Sequence, residues 1–118
     1  MGYTTDFLGE LKLSRNLTHQ EFDIINSIQD KRHDYSTHPS IWCNWEVISY
    51  KDEQYLQWNG AEKFYNYVEW LDYLIKNYFK PWDVTMNGKI HWEGEGFEDM
   101  GVIIVENNNV KTECISCD

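Results

Sequence analysis

Basic residues are scarce in this sequence. Ten Lys and Arg stand against twenty Asp and Glu, which gives a formal net charge of -10. The resulting negative field repels phosphate groups, so nucleic acid and anionic membranes are disfavoured as direct partners, and basic protein surfaces are favoured. Solubility alone is the competing explanation for this charge, and the sequence does not decide between the two.

Long hydrophobic runs are also missing. No stretch approaches the ~20 apolar residues that cross a bilayer as a helix. The opening MGYTTDFLGE lacks the basic region and apolar run of a secretory signal, so we expect a cytoplasmic protein without membrane association. Cysteine is limited to 3 residues, an odd number that does not indicate a disulfide framework.

Motifs for catalysis and metal binding are absent from the sequence. It contains no nucleophile elbow, Gly-rich phosphate loop or nucleotide motif. Cys114 and Cys117 have the spacing of redox and zinc motifs, but they lack both the strand–helix context and a second ligand pair. His33, His38 and Cys43 match no established ligand spacing. We therefore predict no catalytic residue, no metal, no cofactor and no enzymatic activity.

The clearest pattern in the chain predicts a long amphipathic helix within residues 58–82. Asn59 is placed to cap its start with Glu62 three residues later, and Pro81 ends it because proline donates no hydrogen bond. Large apolar side chains recur every three or four residues and form one stripe: Phe64, Tyr67, Val68, Leu71, Leu74, Ile75 and Tyr78. A stripe this wide must be covered by the rest of the chain.

The remaining elements are predicted from alternation, caps and turns. Thr18 and Glu21 form a capping box that starts a helix over about 19–31. Asn87-Gly88 is a strong hairpin signal, which pairs 84–86 with 89–93. The predicted strands are 3–13, 41–50, 54–58, 102–105 and 110–115, with loops at 32–40 and 94–100 and a turn at 107–109.

This order of elements predicts a single α+β domain over residues 1–118. Two helices cover one face of an antiparallel sheet, in a ferredoxin-like split βαββαβ arrangement with extra C-terminal strands. Six side chains are expected to meet in its core: Trp45, Val68, Leu71, Ile75, Trp92 and Ile104.

The uncovered face of the sheet is the predicted binding surface. Alternation places on it Trp42, Asn44, Glu46, Tyr55, Gln57, His91 and Glu93. Rings interleaved with carboxylates suit a partner with a basic surface. In the competing interpretation, this face is covered by the last strands or by a second copy of the chain in a homodimer.

The acidic loop after the predicted strand 89–93 carries Glu93, Glu95, Glu98 and Asp99. It does not have the order of an EF-hand, and if it has a task, it steers a basic partner.

Four segments resemble a family of short uncharacterised proteins of phages and bacteria. They are MGYTTDFLGELKLSRNLT, SIWCNWEV, QWNGAEKFYNYVEWLDYLIKNYFKPW and NGKIHWEGEGFEDMGVIIVENNNV, which together cover nearly the whole chain. Many members carry an insertion between the first helix and Trp42 that this sequence lacks. The resemblance implies a compact domain in the cytoplasm of a bacterial host and a phage origin, and it transfers no catalytic residue.

These observations favour a phage-type inhibitor or decoy. It is expected to bind and block a bacterial defence or host protein through its acidic, aromatic surface, and nucleic-acid mimicry is one version of this activity. A small-ligand binding module, or an enzyme with an aromatic-lined pocket, is the alternative from another class. An immunity protein that neutralises a basic toxin is a further alternative, because it would use the same attraction between an acidic surface and a basic partner as the inhibitor.

Overall fold

The part of the chain that the structure describes contains six strands and two helices. The computed structural model describes residues 3–62 and 64–114. The elements are β1 (Thr5–Leu13), α1 (His19–Ile28), β2 (Trp45–Tyr50), β3 (Glu53–Trp58), α2 (Tyr67–Leu74), β4 (Met86–Gly94), β5 (Met100–Glu106) and β6 (Asn109–Cys114). A π-helical turn, Ile75–Phe79, directly continues α2. Over this part of the chain, no helix is long and apolar enough to cross a membrane.

The strands form one antiparallel sheet in the order β2-β3-β1-β4-β5-β6. β1 and β4 are paired along their whole length, from Thr5 opposite Gly94 to Leu13 opposite Met86. β3 lies between β1 and β2, and β1 lies between β3 and β4. The predicted α+β class is therefore confirmed, whereas the ferredoxin-like assignment stays a prediction.

The core lies between the helices and one face of the sheet. Alternate side chains such as Leu11, Val47 and Leu56 point to this face and are buried together with Ile25 of α1 and Leu74 of α2. Both helices therefore pack on the same side. Among the predicted core residues, Trp45, Leu71 and Ile75 are buried in this cluster, and Val68 and Trp92 pack against it partly exposed.

Ile104 is buried, but its predicted placement between the sheet and the helices is wrong. Ile103 and Val105 belong to the core cluster, and Ile104 between them pairs with Lys89 on the opposite face of the sheet. The run 102–105 is continuously apolar, so composition alone does not show which of its residues face the helices.

The predicted helix start is also wrong. α2 begins at Tyr67, after Asn66 in a left-handed conformation with φ of 55°. Asn59 does not cap a helix: its Oδ1 accepts from the Ala61 backbone, and its Nδ2 donates to Gln29 Oε1 at 2.7 Å. Residues 59–62 and 64–66 therefore form a loop. The helical segment ends at Phe79, two residues before Pro81, close to the predicted stop.

The hairpin predicted at Asn87-Gly88 does not form, because β4 runs through both residues. Gly88 pairs with Leu11, and a Cβ added there would lie 2.6 Å from the carbonyl oxygen of Glu10. The glycine thus permits close approach of two strands. The two-residue turns are Lys51-Asp52 and Asn107-Asn108, in which both residues have positive φ, as type I′ turns require.

The start of α1 confirms the predicted capping box. Glu21 N–H donates to Thr18 Oγ1 at 3.1 Å, and Thr18 N–H donates to Glu21 Oε1 at 2.9 Å. Arg15 also donates to both carboxylate oxygens of Glu21, at 2.9 and 3.1 Å. The guanidinium hydrogen bonds, followed by the Thr18 backbone, lower the pKa of Glu21 from 4.5 to about 2.

This depressed pKa predicts an acid-dependent loss of stability. Ionised Glu21 stabilises the fold fully above its unfolded-state pKa of 4.5, and the stabilisation is lost as the pH falls through the folded-state value of about 2. As the pH falls from 4.5 to about 2, the free energy of unfolding should fall less in Glu21→Gln than in the wild type. Urea denaturation at a series of pH values measures both. Asp23→Asn in the same helix is the control. An unchanged pH dependence in Glu21→Gln would contradict the assignment.

Candidate functional site

The open face of the sheet is the side opposite the two helices. Strand register places on it five of the seven residues predicted there, namely Glu46, Tyr55, Gln57, His91 and Glu93. The same register adds Asp6, Leu8 and Glu10 of β1, which the sequence reasoning did not assign to this surface. Their alternation with Phe7, Gly9 and Leu11 was the signal that could have found them.

Carboxylates outnumber cations on the open face. The acidic members are Asp6, Glu10, Glu46, Glu53, Glu93, Glu106 and Glu113, and the lysines are Lys12, Lys89 and Lys111. Two of the lysines form ion pairs there, Lys12 with Glu53 at 3.0 Å and Lys111 with Glu106 at 3.6 Å. Within the described residues, Asp6 and Glu93 have no ion-pair partner.

An acidic patch, which we define as Asp6, Leu8, His91, Glu93 and Met100, lies across β1, β4 and β5. Asp6 and Glu93 are directly opposite each other, an arrangement of like charges that destabilises a sheet. Two residues further along the same strands, Leu8 lies opposite His91. Leu8 is 77% exposed, although β1 has a neighbouring strand on each side. The five residues line a shallow cavity of about 260 Å³.

The acidic loop, which spans residues 95–99 in the structure, uses two of its carboxylates to hold its own structure. Asp99 accepts from Tyr3 Oη at 2.6 Å and from Trp92 Nε1 at 2.9 Å, and the Glu95 carboxylate accepts from the Thr4 backbone. The hydrogen bond to Asp99 raises the pKa of Tyr3. Glu95 and Asp99 therefore tie the loop to the beginning of the described chain. Glu98 is exposed.

Trp42 and Asn44 do not lie on the open face, so their predicted placement is wrong. β2 begins only at Trp45, and both residues precede it in a loop. They line a separate loop cavity of about 790 Å³ between the end of α1 and the loop residues 35–44, 59–62 and 64–66. Its walls also include Gln29, Tyr35, Glu62 and Tyr65. Neither Trp42 nor Asn44 belongs to the acidic patch.

Hydrogen bonds connect the walls of the loop cavity. The Asn59 backbone donates to the Asn44 carbonyl at 2.9 Å, and the Ser40 hydroxyl donates to the Tyr65 carbonyl at 3.2 Å. The Asn66 amide donates to the Pro39 carbonyl. The cavity is therefore held open by the fold itself.

His33 and His38, in the loop after α1, form an aromatic cluster with Trp70. The rings of His33 and His38 lie 4.7 Å apart, and the ring of His33 lies 5.1 Å from that of Trp70.

Cys43 is buried, and burial raises the pKa of its thiol to about 12, which makes it a poor nucleophile. No group of three or more His, Cys, Asp or Glu residues suited to a metal ion occurs in the described chain. Cys117 lies outside the described residues, so the prediction for the Cys114–Cys117 pair stays a prediction.

Comparison with protein-family models, curated proteins and solved structures finds no match. The resemblance to short phage and bacterial proteins therefore stays a prediction based on the sequence segments alone.

Proposed function

We propose that this protein is an inhibitor or decoy that binds a basic surface of a bacterial defence or host protein through the acidic patch. The observation that carries the proposal is the Asp6–Glu93 pair beside the exposed Leu8. Like charges opposite each other cost stability in the free protein, and folds tend to keep such unfavourable arrangements where function needs them.

A cationic side chain of a partner suits this arrangement. A Lys or Arg placed between Asp6 and Glu93 replaces their repulsion by attraction, and an Arg guanidinium can hydrogen-bond to carboxylates with planar geometry. Leu8 supplies adjacent apolar area that loses contact with water on binding. The patch therefore combines electrostatic attraction with a hydrophobic contact.

A second copy of the chain is a poor occupant of the same face. In a two-fold dimer the same patch meets itself, so Asp6 and Glu93 of both copies would come together. The net charge of -10 adds to this repulsion. A partner with a basic surface is favoured instead. Where that surface normally binds nucleic acid, the protein should compete with the nucleic acid.

Capture from a bacterial lysate with matched variants tests the proposal. The test variant is Asp6→Asn with Glu93→Gln, and the control is Asp30→Asn with Asp83→Asn, which changes the net charge equally at exposed positions outside the sheet. The wild type and the control should retain the same stoichiometric protein. The test variant should retain about tenfold less of it. Equal capture by all three proteins would contradict the proposal.

A further inference from the structure

The loop cavity has the dimensions of a ligand site. Its volume of about 790 Å³ lies within the range of small-molecule pockets, and hydrogen bonds fix its walls. We propose that it binds a neutral oligosaccharide, a second binding function independent of the acidic patch. The two sites share no residue, so either can exist without the other.

Three aromatic side chains line the cavity and present their rings to solvent. Tyr35, Trp42 and Tyr65 are 76%, 48% and 47% exposed. None of the ring–ring contacts among the described residues involves any of them, so their faces are not covered by another ring. Such faces pack against the C–H groups of a pyranose ring, which combines an apolar surface with hydroxyl groups at its edge.

The polar groups of the cavity include both donors and acceptors. Asn44 is only 5% exposed, and its Nδ2 donates to the Ala61 carbonyl at 3.4 Å, which defines the orientation of the amide. Its Oδ1 accepts no hydrogen bond from the described residues. Gln29 Oε1 accepts from Asn59, which leaves Gln29 Nε2 as a donor. Sugar hydroxyl groups can donate to Asn44 Oδ1 and accept from Gln29 Nε2.

Other ligand classes fit this set of groups less well. The described residues that line the cavity include the Glu62 carboxylate and no Lys or Arg, which disfavours phosphate-bearing ligands. A substituted ammonium ion fits a small cage of closely spaced rings and cannot use the amide donor of Gln29. The cavity is far larger than such an ion. A neutral ligand with many hydroxyl groups uses the rings, the donors and the acceptors together.

Binding of maltotriose, cellotriose and N,N′,N″-triacetylchitotriose, three neutral sugars, tests this proposal. Titration calorimetry should detect saturable binding of at least one of them to the wild type. Trp42→Ala should weaken that binding by about tenfold or more, or 1.4 kcal/mol, and Trp42→Phe should retain most of it because a ring remains. Tyr35→Ala, at the most exposed ring, provides a second test if Trp42→Ala does not fold. Leu8→Ala, in the acidic patch, should bind the sugar as the wild type does.

Three results would overturn the proposal. They are the absence of saturable binding for all three sugars, binding that Trp42→Ala and Tyr35→Ala leave unchanged, and saturable binding of adenosine or tetramethylammonium in place of the sugars.

Discussion

Leu71→Ala is expected to lower the free energy of unfolding by about 2–5 kcal/mol, the range for truncating a buried leucine. Leu71 is fully buried on α2, within the cluster that joins both helices to the sheet. The loss combines the transfer free energy of the removed carbon atoms with the cavity that they leave. Urea denaturation monitored by tryptophan fluorescence measures it, as a lower midpoint with an unchanged slope.

Leu8→Ala is the matched control, because it makes the same chemical change at a leucine that is 77% exposed. Its effect on the free energy of unfolding should lie within about 0.5 kcal/mol, as for most surface substitutions. Similar losses for Leu71→Ala and Leu8→Ala would contradict the burial of Leu71 beneath α2 or the exposure of Leu8 on the open face.

Neutralising Asp6 and Glu93 together should slow association with the partner by about an order of magnitude at low salt. Exposed charges act mainly during the approach of two proteins, so the difference should shrink as salt screens charges beyond about 8 Å. The dissociation rate should rise as well, because the same two carboxylates hold the partner's cation in the docked complex. Leu8→Ala should speed dissociation and leave association unchanged, because apolar contacts formed after docking determine how long a complex lasts. Surface plasmon resonance with the captured partner measures both rates.

The control for this experiment is again Asp30→Asn with Asp83→Asn. If net charge alone drives association, this variant should slow it as much as the change at Asp6 and Glu93 does. Equal slowing by both variants would assign the effect to the overall charge of -10, and the patch would have no specific role.

Local signals in the sequence predicted much of the fold. The capping box of Thr18 and Glu21 depends on residues three positions apart, and the structure confirms it. The turn at 107–109 likewise depends on asparagines that tolerate positive φ. Alternation along the predicted strand 89–93 gave the correct side of the sheet for His91 and Glu93. Each of these signals is contained within a few neighbouring residues.

The errors arose where contacts between distant segments decide the conformation. The segment before Tyr67 has a helical pattern, yet Asn59 bonds to Gln29, the residue after α1, and Phe64 is buried against Trp45. Residues 59–62 and 64–66 therefore form a loop. Gly88 carries a turn signal, but it permits close approach of β1 to β4. Tertiary contacts of this kind override local preference.

The candidate sites were predictable only in part for the same reason. The open-face residues of single strands follow from alternation, whereas the Asp6–Glu93 pair depends on β4 being the neighbour of β1. Trp42 and Asn44 precede a strand that begins later than expected, so alternation misplaced them. The loop cavity that they line is built by segments far apart in the chain, and no local pattern reports it.

Methyl NMR of the complex with the captured partner tests the role of the acidic patch most directly. Leu8 lies in the patch and Ile24 is 37% exposed on α1, so the two methyl-bearing side chains report on opposite sides of the molecule. On addition of the partner, the Leu8 methyl resonances should shift or broaden, and those of Ile24 should stay in place. Perturbation of Ile24 with unchanged Leu8 resonances would contradict binding through the open face of the sheet.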